Sequence, residues 1–180
     1  MAVRKNLRRW EILGFVFVGA MGVLLHYMFS WTGGNTLVAA FAGVNDSTWE
    51  HMKLLYIPYF VFTMVQFTVF AEPYRNFFAA KAAAGLAGLL LIPLLHYTIA
   101  GMFGAPPPWL DIAIFFVADA AMYFISYRLL NGFALRGGPW QVAGFALLWA
   151  LTFAFILFTY RTPQLPLFRD PTTFQYGIPR

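Results

Sequence analysis

The sequence predicts an all-α, polytopic membrane protein: a bundle of five transmembrane helices with a short interfacial segment and an extracytoplasmic C-terminal tail. Three observations carry this. Hydrophobic residues make up 61% of the chain and charged ones only 11%, where a soluble domain carries roughly a quarter. The mean hydropathy is +0.66. Five segments supply the run of about 20 mainly apolar residues that a membrane-crossing helix needs, at 12–31, 48–71, 77–103, 109–130 and 140–160. Residues 1–160 are therefore expected to form one bundle and 161–180 a tail.

The first span, Ile12–Trp31, follows the basic residues Arg4, Lys5, Arg8 and Arg9, the pattern of a cytoplasmic anchor. Ala40-Phe41-Ala42 resembles a signal cleavage site. The apolar run, however, exceeds the ~7–15 residues of a signal core, and the site lies far beyond it. An uncleaved span is expected. Thr36–Val44 is apolar but too short to cross, so it is expected to lie at the membrane interface before a turn at Asn45–Ser47.

The second span opens on Ser47-Thr48-Trp49-Glu50, a capping-box pattern in which the Ser hydroxyl and Glu carboxylate satisfy free N–H groups at the helix start. The remaining breaks are turn chemistry: Glu72-Pro73, Ala105-Pro106-Pro107-Pro108 and Arg136-Gly137-Gly138-Pro139. Pro58 and Pro93 fall inside spans, where neighbouring helices must re-satisfy the freed carbonyls. Tryptophans mark the span ends at positions 10, 31, 49, 109 and 140, as indoles do at headgroup level.

An inside N-terminus puts Arg4, Lys5, Arg8, Arg9, Arg75, Lys81, Arg128 and Arg136 on the cytoplasmic side. It leaves Lys53, Arg161, Arg169 and Arg180 on the other. Eight against four favours a cytoplasmic N-terminus in a cell inner or plasma membrane. Nucleic acid is an unsuitable partner, since no basic face with interleaved aromatics occurs. The chain has no cysteine, which removes disulfides, thiolate ligands and a Cys nucleophile.

Only three histidines occur, one in each of the first three spans: His26, His51 and His96. At about 1.5 Å per helical residue, they lie roughly 8, 5 and 10 Å below the same membrane face. Asp111 enters that layer, while Asp119 falls near the midplane. Ionisable residues inside a span are costly, face the bundle interior, and are functional candidates by default. Lys81 and Arg128 are expected to snorkel to the opposite interface.

Three imidazoles and a carboxylate form a ligand set for zinc or a similar divalent metal, with Glu50 or Asp111 as general base. That reading gives a metal-dependent membrane hydrolase of a lipid or lipid-linked substrate. Asp46, Ser47 and Asp119 complete the polar set. Glu50 and His51 project about 100° apart on a helix and cannot easily share one ion. Two alternatives stay open. His26 and His96 could be axial ligands of a haem in an electron-transfer protein, or the polar layer could serve packing in a non-catalytic subunit or scaffold of a membrane-protein complex. Each residue also has a plainer use: capping for Glu50, interhelical hydrogen bonds for the histidines, a helix-dipole position for Asp111. Arg169-Asp170-Pro171 reads as a salt-bridged turn or a lid. P-loop, G-x-S-x-G and Rossmann patterns are absent.

The segment Val44-Asn45-x-Ser47-x-Trp49-Glu50-His51-x-Lys53-Leu54, with the tail Leu165-Pro166-Leu167-Phe168-Arg169-Asp170-Pro171, resembles a family of small uncharacterised bacterial multi-pass membrane proteins. That resemblance extends over most of the chain and implies the span layout but no reaction. A weaker likeness is to the polytopic zinc hydrolases of the ceramidase and adiponectin-receptor type, which gather His, Asp and Ser near one membrane face. The chain lacks their H-x-x-x-H pair and seven spans, so no catalytic residue is carried over.

Overall fold

The computed structural model describes residues 2–71, 74–104 and 107–179. The expected turns at Glu72-Pro73 and Ala105-Pro106 and the basic residue Arg180 lie outside the described residues. Among these the chain is all-helical: α1 (Ala2–Trp31), α2 (Thr36–Ala39), α3 (Thr48–Phe70), α4 (Phe77–Phe103), α5 (Pro108–Asn131) and α6 (Gly138–Tyr160), followed by a short 3-10 turn at Pro166–Phe168. Five of them, all but α2, are long and apolar enough to cross a membrane. The predicted spans and the long helices coincide within two residues at every described end except the start of α1. There the helix continues back through the basic residues, because hydropathy locates hydrocarbon and not helix.

α3 is the central helix. Two thirds of its apolar window (67%) is buried, against 28% for α1 and for α6. It packs against α1, α4 and α6, while α4 packs on α5 and α6 and α1 on α5. The small-residue run in α4 permits close approach. A Cβ on Gly144 of α6 would lie 2.6 Å from the backbone at Ala79, and one on Gly88 would lie 2.9 Å from Met122. Only glycine fits such contacts.

Pro58 removes the N–H that would bond Leu54 O, yet α3 continues through it. Gly22 of α1 packs there: a Cβ on it would sit 3.3 Å from Leu54 O. The freed carbonyl thus meets a neighbouring backbone instead of lipid.

Thr36–Val44 packs one face on the bundle and leaves Leu37 and Phe41 exposed on the other. Ala39, Ala42 and Val44 are buried, and Gly43 N donates to Leu25 O at 3.2 Å, tucking the segment against α1. Outward-facing positions carry exposed Val61, Val65 and Val69 on α3 and Phe153 and Leu157 on α6. Charges go inward: Lys53, Lys81 and Asp119 are fully buried. This corrects the expectation for Lys81, which does not snorkel. Its ammonium is 2.8 Å from Glu11 Oε1, and Tyr59, Phe77 and Tyr123 rings surround it. Arg128 remains exposed.

Candidate functional site

The site is built around the start of α3. Asn45 Oδ1 accepts from Ser47 N at 2.9 Å, and the Ser47 hydroxyl accepts from Glu50 N at 3.4 Å. Only half of the expected capping box therefore forms. The Glu50 carboxylate turns instead to Val44 N, 3.0 Å from Oε2, and to Lys53 Nζ at 2.7 Å. Lys53 also donates to Ala39 O and to Thr159 Oγ1, both at 2.9 Å. The result is a dry knot joining α2, α3 and α6. Glu50 is held inside it, away from the histidine cavity; the expected role as base there loses its geometric support.

One residue on, His51 faces the other way, as the 100° step requires. Its Nδ1 bonds Ser47 O at 3.0 Å. A carbonyl only accepts, so Nδ1 carries the hydrogen and Nε2 is left for other chemistry. His96 of α4 is fixed in the same way: its Nδ1 lies 2.7 Å from Asp111 Oδ1 at the start of α5. Anchoring one ring nitrogen to a carbonyl or carboxylate sets both tautomer and orientation.

His51, His96, Asp111 and Asp46 line a common cavity of about 260 Å³. Its roof is the tail, which contributes Arg169 and Phe174. The Arg169 guanidinium stacks 4.6 Å from the Phe174 ring. Asp170 holds a turn through backbone donors and has no ion pair among the described residues. Its Oδ1 accepts from Thr172 N and Thr173 N at 2.7 and 2.8 Å, and its Oδ2 from Asp46 N at 3.1 Å. Burial works to raise this carboxyl's pKa, but the backbone donors Thr173, Asp46 and Thr172 outweigh it and hold it below the usual carboxylate value. Asn45 Nδ2 donates to Gly177 O at 2.9 Å, and Phe168 packs on Trp49 with centroids 4.6 Å apart. The tail is strapped down at both sides of the cavity.

His26 stands at the edge. Its ring stacks on His51 at 6.2 Å between centroids, and Nε2 is 3.9 Å from Asp46 Oδ1. It opens on a smaller pocket of about 120 Å³, which His51 also lines. The three histidines are thus neighbours through His51, but no three His, Asp or Glu side chains among the described residues are set to hold a metal ion. The expected three-histidine ligand set does not fit this arrangement. Nor does a haem between His26 and His96, which open on different cavities. Asp119 lines neither; it is fully buried, and neither carboxyl oxygen has a hydrogen-bond partner among the described residues.

Sequence reasoning offered the Arg169-Asp170-Pro171 tail as a lid, which agrees with Arg169 and Phe174 lining the cavity, and missed Glu11 as a buried acid. Nothing local signals Glu11, since its partner is 70 positions away. No curated protein and no solved structure matches the chain. The model of the Family of unknown function (DUF6512) matches residues 1–178, and the chain belongs to that family.

Proposed function

We propose that the cavity is the active site of a membrane-embedded hydrolase acting on a lipid or lipid-linked ester, with His96 as general base and Asp111 orienting it. One observation supports this above the others. Two imidazoles, each anchored through Nδ1, open on a single cavity beneath an arginine. In this reading His96 Nε2 takes a proton from water and the hydroxide adds to the ester carbonyl. The same proton passes to the departing alkoxide, so that acid and alcohol leave and the imidazole is neutral again. Asp111 stabilises the imidazolium in between, as a carboxylate at 2.7 Å does best. Arg169 offers an anionic headgroup its only positive charge among the described cavity-lining residues, His51 and His96 aside. The excess of basic residues towards the N-terminus supports a cytoplasmic N-terminus, with the cavity facing the outer leaflet.

The test is release of labelled fatty acid or headgroup from phospholipid vesicles containing the purified protein. His96→Ala should lower the rate by about 100-fold or more, and Asp111→Asn by about 10- to 100-fold. Equal rates for wild type and His96→Ala, or no release at all, would overturn the reading. Elemental analysis and a visible spectrum of the same sample test for bound metal and haem.

A further inference from the structure

A second cavity, of about 500 Å³, opens between α1 and α5 at the opposite end of the bundle. Glu11 and Tyr123 line it together with apolar Ile12, Phe15 and Phe124. Both polar residues are about 4% exposed, yet each turns a polar atom to no partner among the described residues: Glu11 Oε2 and the Tyr123 hydroxyl. Buried polar atoms are nearly always paired, and both of these belong to residues that line one cavity, so a ligand entering it can supply the partner they lack.

The chemistry of that ligand follows from what surrounds it. Glu11 Oε1 already takes Lys81 Nζ at 2.8 Å and Gln66 Nε2 at 3.3 Å. The carboxylate is neutralised. A cation would bring excess positive charge beside Lys81, and an anion would face Glu11. Oε2 can only accept a hydrogen bond, whereas a phenol can donate one. A single neutral hydroxyl serves both, donating to Glu11 and accepting from Tyr123. Gly14 makes room for the phenol, since a Cβ there would lie 2.6 Å from the Tyr123 oxygen. The remaining wall is hydrocarbon, and Ile12 and Phe124 are more than half exposed on the lipid-facing side. The volume far exceeds the roughly 30 Å³ share of one water.

We infer that Glu11 and Tyr123 form a binding site for the headgroup of a neutral lipid alcohol, which enters from the bilayer between α1 and α5. The inference does not depend on the hydrolase reading. Arg8 lines the same cavity one turn before Glu11, so a phosphorylated headgroup is the competing ligand to test.

The experiment is photolabelling of the purified protein in vesicles with a diacylglycerol carrying a diazirine at the start of one acyl chain. Its 3-O-methyl ether and its 3-phosphate serve as comparison probes. The alcohol should label peptides containing Ile12–Phe15 or Phe124 at least 5-fold above the ether or the phosphate. Tyr123→Phe should lose that excess while melting no lower than wild type, because the removed hydroxyl has no partner among the described residues. Equal labelling by alcohol and ether would overturn the site, whether the cavity holds only water or only acyl chains. So would stronger labelling by the phosphate, or unchanged labelling in Tyr123→Phe.

Discussion

Both ends of the bundle bury a glutamate against a lysine, and the two pairs are built in opposite ways. Glu50 and Lys53 lie three residues apart on α3 at 2.7 Å; Ala39 and Thr159 complete the ammonium's three bonds, and Val44 N–H joins it on Glu50 Oε2. Glu11 and Lys81 come from α1 and α4, at 2.8 Å, and leave one carboxylate oxygen without a partner among the described residues. The first pair serves the fold: it ties three elements so that His51, its neighbour, faces the cavity. In the second, Glu11 Oε2 has bonding capacity to spare. The same two residue types thus give a strut at one end and a receptor at the other.

The largest effect should come from breaking either pair on one side. Lys81→Met leaves the Glu11 charge buried without its cation and should cost about 3–5 kcal/mol, read as thermal or denaturant unfolding in detergent; Lys53→Met should cost a similar amount. The double variants separate the pairs. Glu11→Leu with Lys81→Met should recover most of the loss, because few other partners are stranded. Glu50→Leu with Lys53→Met should recover less, because it strands Val44 N–H and Ala39 O. Equal recovery would break the contrast.

Asp170→Ala removes the acceptor for three backbone N–H groups and should cost about 2–3 kcal/mol, seen as faster proteolysis of the tail. The pH dependence has a definite sign. This carboxyl titrates lower in the folded protein than in the unfolded chain, so its contribution is complete above the unfolded value of about 3.9. It fades as pH falls through the lowered folded value. Tail protection should therefore persist at pH 5 and be lost in acid. The smallest effect is a gain. Asp119→Leu replaces a fully buried carboxyl that has no hydrogen-bond partner among the described residues, and should stabilise by about 1–2 kcal/mol. A loss instead would give the carboxyl a partner of its own.

What could be read from sequence divides along the same line. The helices were legible because lipid requires long apolar runs, and His26, His51, His96 and Asp111 because helical rise converts position into depth. Depth carries no rotation about the helix axis, which is why Glu50 was expected beside the histidines and lies in the knot. The same limit hid Lys81: a lysine near a span end reads as snorkelling unless its acid is visible, and Glu11 is on another helix. His51 and Glu50 were separable in advance only because adjacent residues have a fixed angle between them. Arg169 and Asp170 were legible as a motif that was either a salt-bridged turn or a lid; nothing local to a tail chooses between the two.

The strap formed by Asp170 has a consequence for how the protein is made. Asp46 N–H sits just before α3, yet the carboxylate that satisfies it follows all five spans in the chain. During synthesis, the first helices must enter the membrane with the cavity unroofed and with Asp46 N–H and Asn45 Nδ2 served by water. Only when the tail emerges and crosses back over α3 do Asp170 and Gly177 displace that water. Insertion and maturation of the cavity are thus separate events. A chain interrupted after Tyr160 would reside in the membrane with its helices placed and its cavity open.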